Sequence, residues 1–591
     1  MRLLAKLVRT TLFSERLAKI LVLVQVILLM VVWFTAPRLD LPNNVFEYMY
    51  KLPQSYWLSL AISFLVLIIV LARRVGLSYG LLTVMFTSAL LFLTPCVMFV
   101  NEPGCRDVYG HISNALYIME MGYFWGSGVE RWPGSYIFMA SYLTLTGLNP
   151  LYIMKLWHFL YISMWILAAY IIAKKVLSNS DTSYALLAPL AVMAFSWHSF
   201  HFGKQYFAHI LWAVALSSVV ISQGALRKGD IFTLTLLYAT LVWSHPLTSL
   251  LLLALLIAMY IYPRLIRYVP FTSRSRSNSS MNQLNKVEHV AIVALITWIF
   301  YYIWTGYSIG GFMNAIDFMR SLLIESKHRP TELLTYAPLP SYTSEYLKAI
   351  YLRMFSSLFV FLTGFIASLI LLIKTRTLRH AILAMTVLIP LILFVSPFSK
   401  QTLAMLNRGV EHALVPYAAL LAWLSVMLGK NKHRVLTRLA LVLIVMVTIL
   451  FISLVPYVKW SSPTFMYIPT QSHTLAEFIV EYLEVEHYYK INALDIALRY
   501  HAVRHYNLEL YWRCLYPIPG INDMYTHYPL IPSDLTKYSV TALSHRYFIE
   551  DLYRSYEPPF SKHLHGLIVL LERTYDKIYM SSVHYYVYFI S

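Results

Sequence analysis

One short polar stretch combines side chains that could carry out acid–base chemistry at a membrane surface. The apolar run LLTVMFTSALLFLTPCVMFV, residues 81–100, leads directly into NEPGCRDVYGH, residues 101–111. The second stretch contains Glu102, Arg106, Asp107 and His111. A carboxylate beside the low-dielectric membrane is costly unless it is paired or used. Asp107 could therefore serve as a base, and His111 follows it by one helical turn as a possible partner.

The composition is that of a multispanning membrane protein, in which helices must position these residues. Of the 591 residues, 59% are hydrophobic and only 13% are charged, whereas soluble domains are about one quarter charged. Apolar runs long enough to cross a hydrocarbon core recur along most of the chain. We predict about thirteen spans, at roughly 20–36, 55–72, 77–99, 150–173, 184–200, 207–223, 231–244, 246–262, 289–304, 351–373, 381–396, 412–428 and 438–456.

The distribution of positive charge predicts the orientation of the chain. The formal net charge is +19, and nearly all of the excess lies in alternate loops, as at Arg73–Arg74 and Lys174–Lys175. Positively charged loops stay in the cytoplasm, so we expect a cytoplasmic N-terminus and an external C-terminal region in a cell membrane. The first apolar segment lacks a clear small-residue cleavage site, which favours an uncleaved anchor. Because the excess flanks spans, a nucleic-acid partner is not indicated.

The chain divides into a membrane domain, 1–456, and a polar C-terminal region, 457–591. The membrane domain has two long external loops, at about 100–149 and 305–350, and long loops are often functional. In the C-terminal region HTLAEFIVEYLEVEHYY predicts an amphipathic helix, and HLHGLIVLLER and VHYYVYFIS predict strands. We therefore expect a small external α/β domain. A Cys105–Cys514 disulfide is possible but cannot be assigned from spacing.

The plan of the chain resembles the GT-C superfamily of integral-membrane glycosyltransferases. The resemblance rests on the RDVYGHI segment at 106–112, the long amphipathic loop after it and the external C-terminal region. It implies many spans, a polyprenyl-phosphate-linked sugar donor and an essential acid in the first large external loop. The expected acceptor is an external glycan, lipid-linked oligosaccharide or protein, with membrane lipid around the site.

The resemblance implies that Asp107 takes the proton of the acceptor hydroxyl. Asp107 could instead orient the acceptor, hold a metal or cap the helix that follows it. Glu102, Asp107 and His111 are possible ligands of a divalent metal. No cofactor is required by the sequence, and no metal residue is assigned.

A lipid phosphate leaving group requires external cations near span ends. HSFHFGKQYFAH contains Lys204 and Gln205, and SPFSKQTLAMLNRGVEH contains Lys400, Arg408 and His412. Arginine binds phosphate through two hydrogen bonds, so Arg408 is the first candidate for the donor phosphate and Lys204 the next. Both could also simply extend to the membrane surface. In WSHPLTS, His245 could bind substrate or bond to a nearby backbone group.

The main alternative function is a transporter or flippase of lipid-linked glycans. Such a protein should carry ionisable groups near the middle of the membrane and paired broken helices. Few such groups are evident within the predicted spans, His209 being one, and the polar residues gather at outer span ends. This distribution favours chemistry at the membrane interface over transport.

Overall fold

The fold is described from a computed structural model. The structure describes residues 11–39, 47–73, 77–101, 107–122, 132–177, 179–197, 202–222, 227–265, 279–304, 344–374, 378–394, 402–430, 435–460, 477, 491–492, 540–543, 576–582 and 585–589.

The described part of 11–460 is helical. Its first helices are α1 (Thr11–Thr35), α2 (Glu47–Tyr50), α3 (Gln54–Arg73), α4 (Leu77–Ser88), a π-helical turn (Ala89–Leu93), α5 (Thr94–Met98), α6 (Asp107–Met121), α7 (Gly134–Thr146) and α8 (Pro150–Val176). A 3₁₀ segment (Asn179–Leu186) then leads into α9 (Leu187–Phe195), α10 (Lys204–Ser222), α11 (Lys228–Ser244), α12 (Pro246–Leu265), α13 (Ser279–Trp304), α14 (Ser344–Lys374), α15 (Leu378–Phe394), α16 (Thr402–Lys430) and α17 (Val435–Val458).

The helices make this a multi-pass membrane protein. Within the described residues, seven are long and apolar enough to cross a membrane: Glu15–Thr35, Gln54–Leu71, Leu77–Met98, Pro150–Val176, Lys204–Ser222, Lys348–Ile373 and Arg408–Leu428. Five shorter apolar helices accompany them. Each of the thirteen predicted spans overlaps a described helix, although the number that cross the membrane stays a prediction.

Helix α16 lies at the centre of the helix bundle, and α1 lies at its periphery. In α16, 89% of the segment Arg408–Leu428 is buried, against 28% of Glu15–Thr35 in α1. Outer helices expose large apolar side chains such as Phe34 and Phe300, as expected of surfaces in contact with lipid. A polar residue on α16 therefore lies among other helices, where it needs a partner.

The segment that precedes the predicted acid is anchored at the end of α5. Arg38 donates to the carbonyl of Val97, and Nζ of Lys155 donates to the Phe99 carbonyl at 2.6 Å. These side chains bind the last carbonyls of the helix, which have no partner within it. Cys96 is also buried here, with Sγ 2.6 Å from the Lys155 carbonyl. These contacts thus fix the end of α5, shortly before Asp107.

Several helices begin earlier than the predicted spans, and the starts of α16 and α14 matter most for the site. Helix α16 begins at Thr402, ten residues before the predicted span at 412, and α14 begins at Ser344, inside the predicted loop 305–350. Charged residues lower the mean hydropathy of both helix starts, so a search for apolar runs ends too early there. As a consequence, Arg408 and His412 lie on one continuous helix.

The described part of the C-terminal region contains four strands. They are β1 (Ile491–Asn492), β2 (Val540–Leu543), β3 (Asp576–Ser582) and β4 (Tyr585–Phe589), in the sheet order β1-β2-β4-β3. The β1–β2 pair is parallel and the other two pairs are antiparallel. Strand β4 lies within the predicted strand VHYYVYFIS. HLHGLIVLLER, Cys105 and Cys514 lie outside the described residues, as does the predicted helix apart from Glu477, so the external α/β domain stays a prediction.

Candidate active site

A chain of buried polar side chains connects four helices. His209 on α10 and His412 on α16 face each other, with 3.1 Å between their Nε2 atoms. Nδ1 of His209 lies 3.1 Å from the hydroxyl of Tyr161 on α8. Nε2 of His412 lies 3.1 Å from Oγ1 of Thr248 on α12. All four side chains are buried, so their hydrogen bonds form in a low-dielectric interior where unpaired polar groups are costly.

One backbone contact determines which side chains donate hydrogen bonds within this buried cluster. Nδ1 of His412 lies 2.8 Å from the carbonyl oxygen of Arg408. A carbonyl oxygen only accepts, so Nδ1 of His412 carries a proton and, in the neutral ring, Nε2 accepts. His209 then donates from Nε2, which leaves its Nδ1 to accept the hydroxyl proton of Tyr161. The orientation of His412 is further supported by Trp212, whose Nε1 donates to the His412 carbonyl at 2.9 Å.

His245 lies at the end of this chain, in the turn between α11 and α12. Its Nδ1 accepts the main-chain N–H of Thr248 at 3.3 Å and lies 2.9 Å from the Thr248 hydroxyl. Burial lowers the pKa of His245 to about 3, and positive charge nearby adds to this effect. The charges are those of His412, Lys204 and Arg408. Both predicted phosphate-binding cations therefore lie close enough to act on one imidazole ring.

The starts of α10 and α16 contribute further charged and polar groups. Nζ of Lys204 lies 5.2 Å from the centroid of the Trp132 ring, a cation–π distance. Nε2 of Gln205 donates to Oε2 of Glu411 at 3.0 Å. Glu411 is only 5% exposed, whereas Arg408, three residues earlier on the same helix, is exposed. Two cations and one buried carboxylate are thus grouped at these helix ends.

Helix α7 of the predicted catalytic loop packs beside these helix ends, and α6 packs on α7. Helix α6 begins at Asp107, and Nδ1 of His111 lies 2.9 Å from the Tyr136 hydroxyl on α7. The ring of Phe138 on α7 contacts that of Phe207 on α10, with 4.8 Å between centroids. The helix that Asp107 was expected to precede is present, and residues 112–118 within it are buried. Asp107 thus begins a packed helix, α6, whose neighbour α7 contacts α10.

Gly134 allows α7 to approach the end of α11. A Cβ atom at this position would lie 2.6 Å from Oγ of Ser244 and 3.1 Å from the Trp243 carbonyl carbon. We expect Gly134→Ala to lower the free energy of unfolding by about 1–3 kcal/mol, as overpacking does. The measurement is thermal unfolding in detergent. Gly229→Ala on α11 is the control, because a Cβ there meets nothing within 4 Å; an equal loss in both variants would contradict the close approach.

The structure brings together four of the predicted substrate-binding residues. Lys204, Gln205, His245 and Arg408 gather at the described ends of α10, α12 and α16, and His111 lies on α6. Glu102 and Lys400 lie outside the described residues, and the side chain of Asp107 is not described. The roles of all these residues stay predictions.

Sequence reasoning missed three members of the cluster: Tyr161, Thr248 and Glu411. It also placed His412 outside the membrane, whereas His412 is 1% exposed within α16. Buried ionisable groups are therefore more numerous than expected, because Glu411 and His412 join His209. The sequence did contain a signal for Glu411 and His412, because an ionisable residue within a membrane helix is by default a functional candidate.

A metal centre is not formed by the described side chains. No group of three or more His, Cys, Asp or Glu residues within the described ranges is arranged to hold a metal ion. The possible ligand set of Glu102, Asp107 and His111 includes two side chains that the structure does not describe. A divalent metal in the loop thus stays an open alternative from the sequence.

Comparison with known proteins finds a similar solved structure. No protein-family profile and no curated protein matches the chain, whereas fifteen chains of solved structures do. One is ArnT from Cupriavidus metallidurans bound to undecaprenyl phosphate, with 11% sequence identity and a TM-score of 0.49, covering 86% of this chain and 97% of that chain. At this identity no residue role is transferred from it.

Proposed function

We propose that the chain is a membrane glycosyltransferase. It takes a sugar from a polyprenyl-phosphate-linked donor and transfers it to an external glycan, lipid-linked oligosaccharide or protein. The observation that carries this proposal is the grouping of Lys204, Arg408 and His245 at one cluster of helix ends, beside the helix pair that begins at Asp107.

The cation pair suits a phosphate leaving group. When the bond between the sugar and the phosphate breaks, negative charge develops on the phosphate oxygen, and positioned cations stabilise that charge. The guanidinium of Arg408 can donate two parallel hydrogen bonds to phosphate, and Lys204 adds a mobile point charge. The apolar tail of such a lipid would remain among the membrane helices.

Asp107 would accept the proton of the acceptor hydroxyl. Its position at the first turn of α6 is compatible with this role, because α6 packs on α7, and α7 contacts α10, which carries Lys204, and the end of α11 next to His245. We place this site on the external side, with a cytoplasmic N-terminus, from the distribution of positive charge. The C-terminal region would then cover the site or bind the acceptor.

Transport of a lipid-linked glycan is the second candidate, and one observation favours it. Glu411, His209 and His412 are buried within the helix bundle, and ionisable groups inside a membrane mark substrate or proton paths in transporters. His209 and His412 are, however, joined to the predicted phosphate site through Thr248, and Glu411 accepts a hydrogen bond from Gln205 beside Lys204, which fits support of that site.

Sugar transfer by the purified protein distinguishes the two functions. The protein is reconstituted in vesicles that contain polyprenyl phosphates bearing labelled sugars, and a membrane-derived acceptor fraction is added on the external side. We expect the label to move covalently to the acceptor, with release of polyprenyl phosphate. Movement of intact labelled donor across the bilayer without transfer would instead establish a flippase and reject the enzyme.

A further inference from the structure

Thr248 has an unusual environment for a hydroxyl residue in a membrane helix. Hydroxyl groups in these helices commonly bond to a carbonyl one turn earlier, as Thr240 does to Leu236 at 2.9 Å. Oγ1 of Thr248 instead lies between two imidazoles, 2.9 Å from Nδ1 of His245 and 3.1 Å from Nε2 of His412. The side chain is fully buried, so both contacts are shielded from water.

The contacts of His245 determine where its proton lies. The main-chain N–H of Thr248 donates to Nδ1 of His245, so this nitrogen must hold a lone pair. A neutral imidazole with a lone pair on Nδ1 carries its proton on Nε2. Within the described part of the chain, Nε2 of His245 has no hydrogen-bond partner. The ring therefore retains one N–H group that can bind a ligand.

The buried histidines behind Thr248 support the same proton arrangement. Nε2 of His412 is an acceptor, because Nδ1 of this ring donates to the Arg408 carbonyl. His209 lies 3.1 Å away and can occupy that acceptor with its own N–H. The hydroxyl proton of Thr248 is then available for Nδ1 of His245, where it shares the lone pair with the main-chain N–H. The hydroxyl contact, at 2.9 Å, is shorter than the main-chain contact, at 3.3 Å, so the hydroxyl makes the stronger hydrogen bond to this nitrogen. The same helix that supplies Arg408 thus also helps to orient His245.

We propose that Thr248, supported by His412, is a positioning residue that holds His245 in its neutral form with the proton on Nε2, so that His245 donates a hydrogen bond to the phosphate of the lipid donor. This inference rests on the proposed function, because it requires a phosphate between Lys204 and Arg408. The ring in the opposite tautomer would direct a lone pair at the anion, which is repulsive. A neutral donor also avoids a third positive charge beside the two cations.

The test compares Thr248→Val with Thr248→Ser in the full-length protein. Valine keeps the shape and the main-chain N–H of Thr248 but removes the hydroxyl, whereas serine keeps the hydroxyl. The measured quantities are the dissociation constant of bare polyprenyl phosphate and the kcat and KM of sugar transfer. We expect Thr248→Val to weaken phosphate binding by about tenfold, with a larger change in KM than in kcat. Thr248→Ser should bind as the wild type does.

A double-mutant cycle separates positioning from a merely structural role. Gln in place of His245 carries an amide N–H that needs no tautomer to be selected. If Thr248 acts through the imidazole, Thr248→Val should have no further effect on phosphate binding in a His245→Gln background. A tenfold loss in both backgrounds would overturn the proposal, because it would show that Thr248 acts on the fold and not on the imidazole.

Two further outcomes distinguish this inference from the proposed function. Failure of the wild type to bind polyprenyl phosphate would reject the function itself. Wild-type binding together with unchanged binding by Thr248→Val would reject only the role of Thr248. If Thr248→Val does not fold, as judged by its thermal unfolding, Thr248→Ala takes its place. Alanine also keeps the main-chain N–H and removes the hydroxyl, so the same tenfold loss is expected.

Discussion

Asp107→Asn is expected to reduce sugar transfer by about 10²- to 10⁴-fold, the usual contribution of a general base. The amide has nearly the size of the carboxylate but cannot accept the proton of the acceptor hydroxyl. The lipid donor should still bind, because its phosphate is held by residues on other helices. The measurement is transfer from a labelled polyprenyl-phosphate sugar at matched expression, together with binding of the bare lipid phosphate.

Glu120→Gln is the matched control for Asp107→Asn. Glu120 is an acid on the same helix, α6, thirteen residues after Asp107, so a general sensitivity of the helix to loss of an acid would appear in both variants. Full transfer by Asp107→Asn would reject Asp107 as the base. The remaining acids would then be Glu102, Glu120 and Glu130 of the same loop, and Glu411, which the structure places beside Gln205.

The helical architecture could be predicted because its signal is local. A membrane helix needs about twenty apolar residues in sequence, and each predicted span overlaps a described helix. The ends of helices were less predictable, since helix α16 continues through Arg408 and Glu411. These charged residues resemble a loop in a hydropathy profile, but Arg408 is exposed and the buried Glu411 accepts a hydrogen bond from Gln205 on α10.

The sequence also predicted that the site residues share one end of the bundle, but it did not predict which of them are in contact. Lys204, His245 and Arg408 follow or precede spans that alternate in direction, so they were expected on one side of the membrane. The contact of His209 with His412 spans 203 positions, and the contact of Thr248 with His412 spans 164. Such contacts depend on which helices pack together, and a single sequence carries no local signal for that packing.

Loss of either cation is expected to weaken binding of the lipid donor by about 10- to 100-fold, the usual value of a hydrogen bond to a charged group. The variants are Arg408→Gln and Lys204→Gln, which keep polar side chains of similar length. Arg408→Lys should restore binding only in part, because lysine cannot donate the two parallel hydrogen bonds of a guanidinium. The measurement is the dissociation constant of polyprenyl phosphate and the KM for the labelled donor.

The losses of donor binding on removal of Arg408 and of Lys204 should not be independent of each other. Removal of a cation at the opposite end of the bundle should cause no such loss. Lys204 and Arg408 both act on the His245 ring, so they lie close enough to bind the same phosphate. The loss of donor binding in the double variant should therefore differ from the product of the single losses. Lys174→Gln is the control, because Lys174 lies in the last turn of α8, on the side predicted to be cytoplasmic. Equal donor binding by all of these variants would exclude the helix ends at Lys204 and Arg408 as the phosphate site.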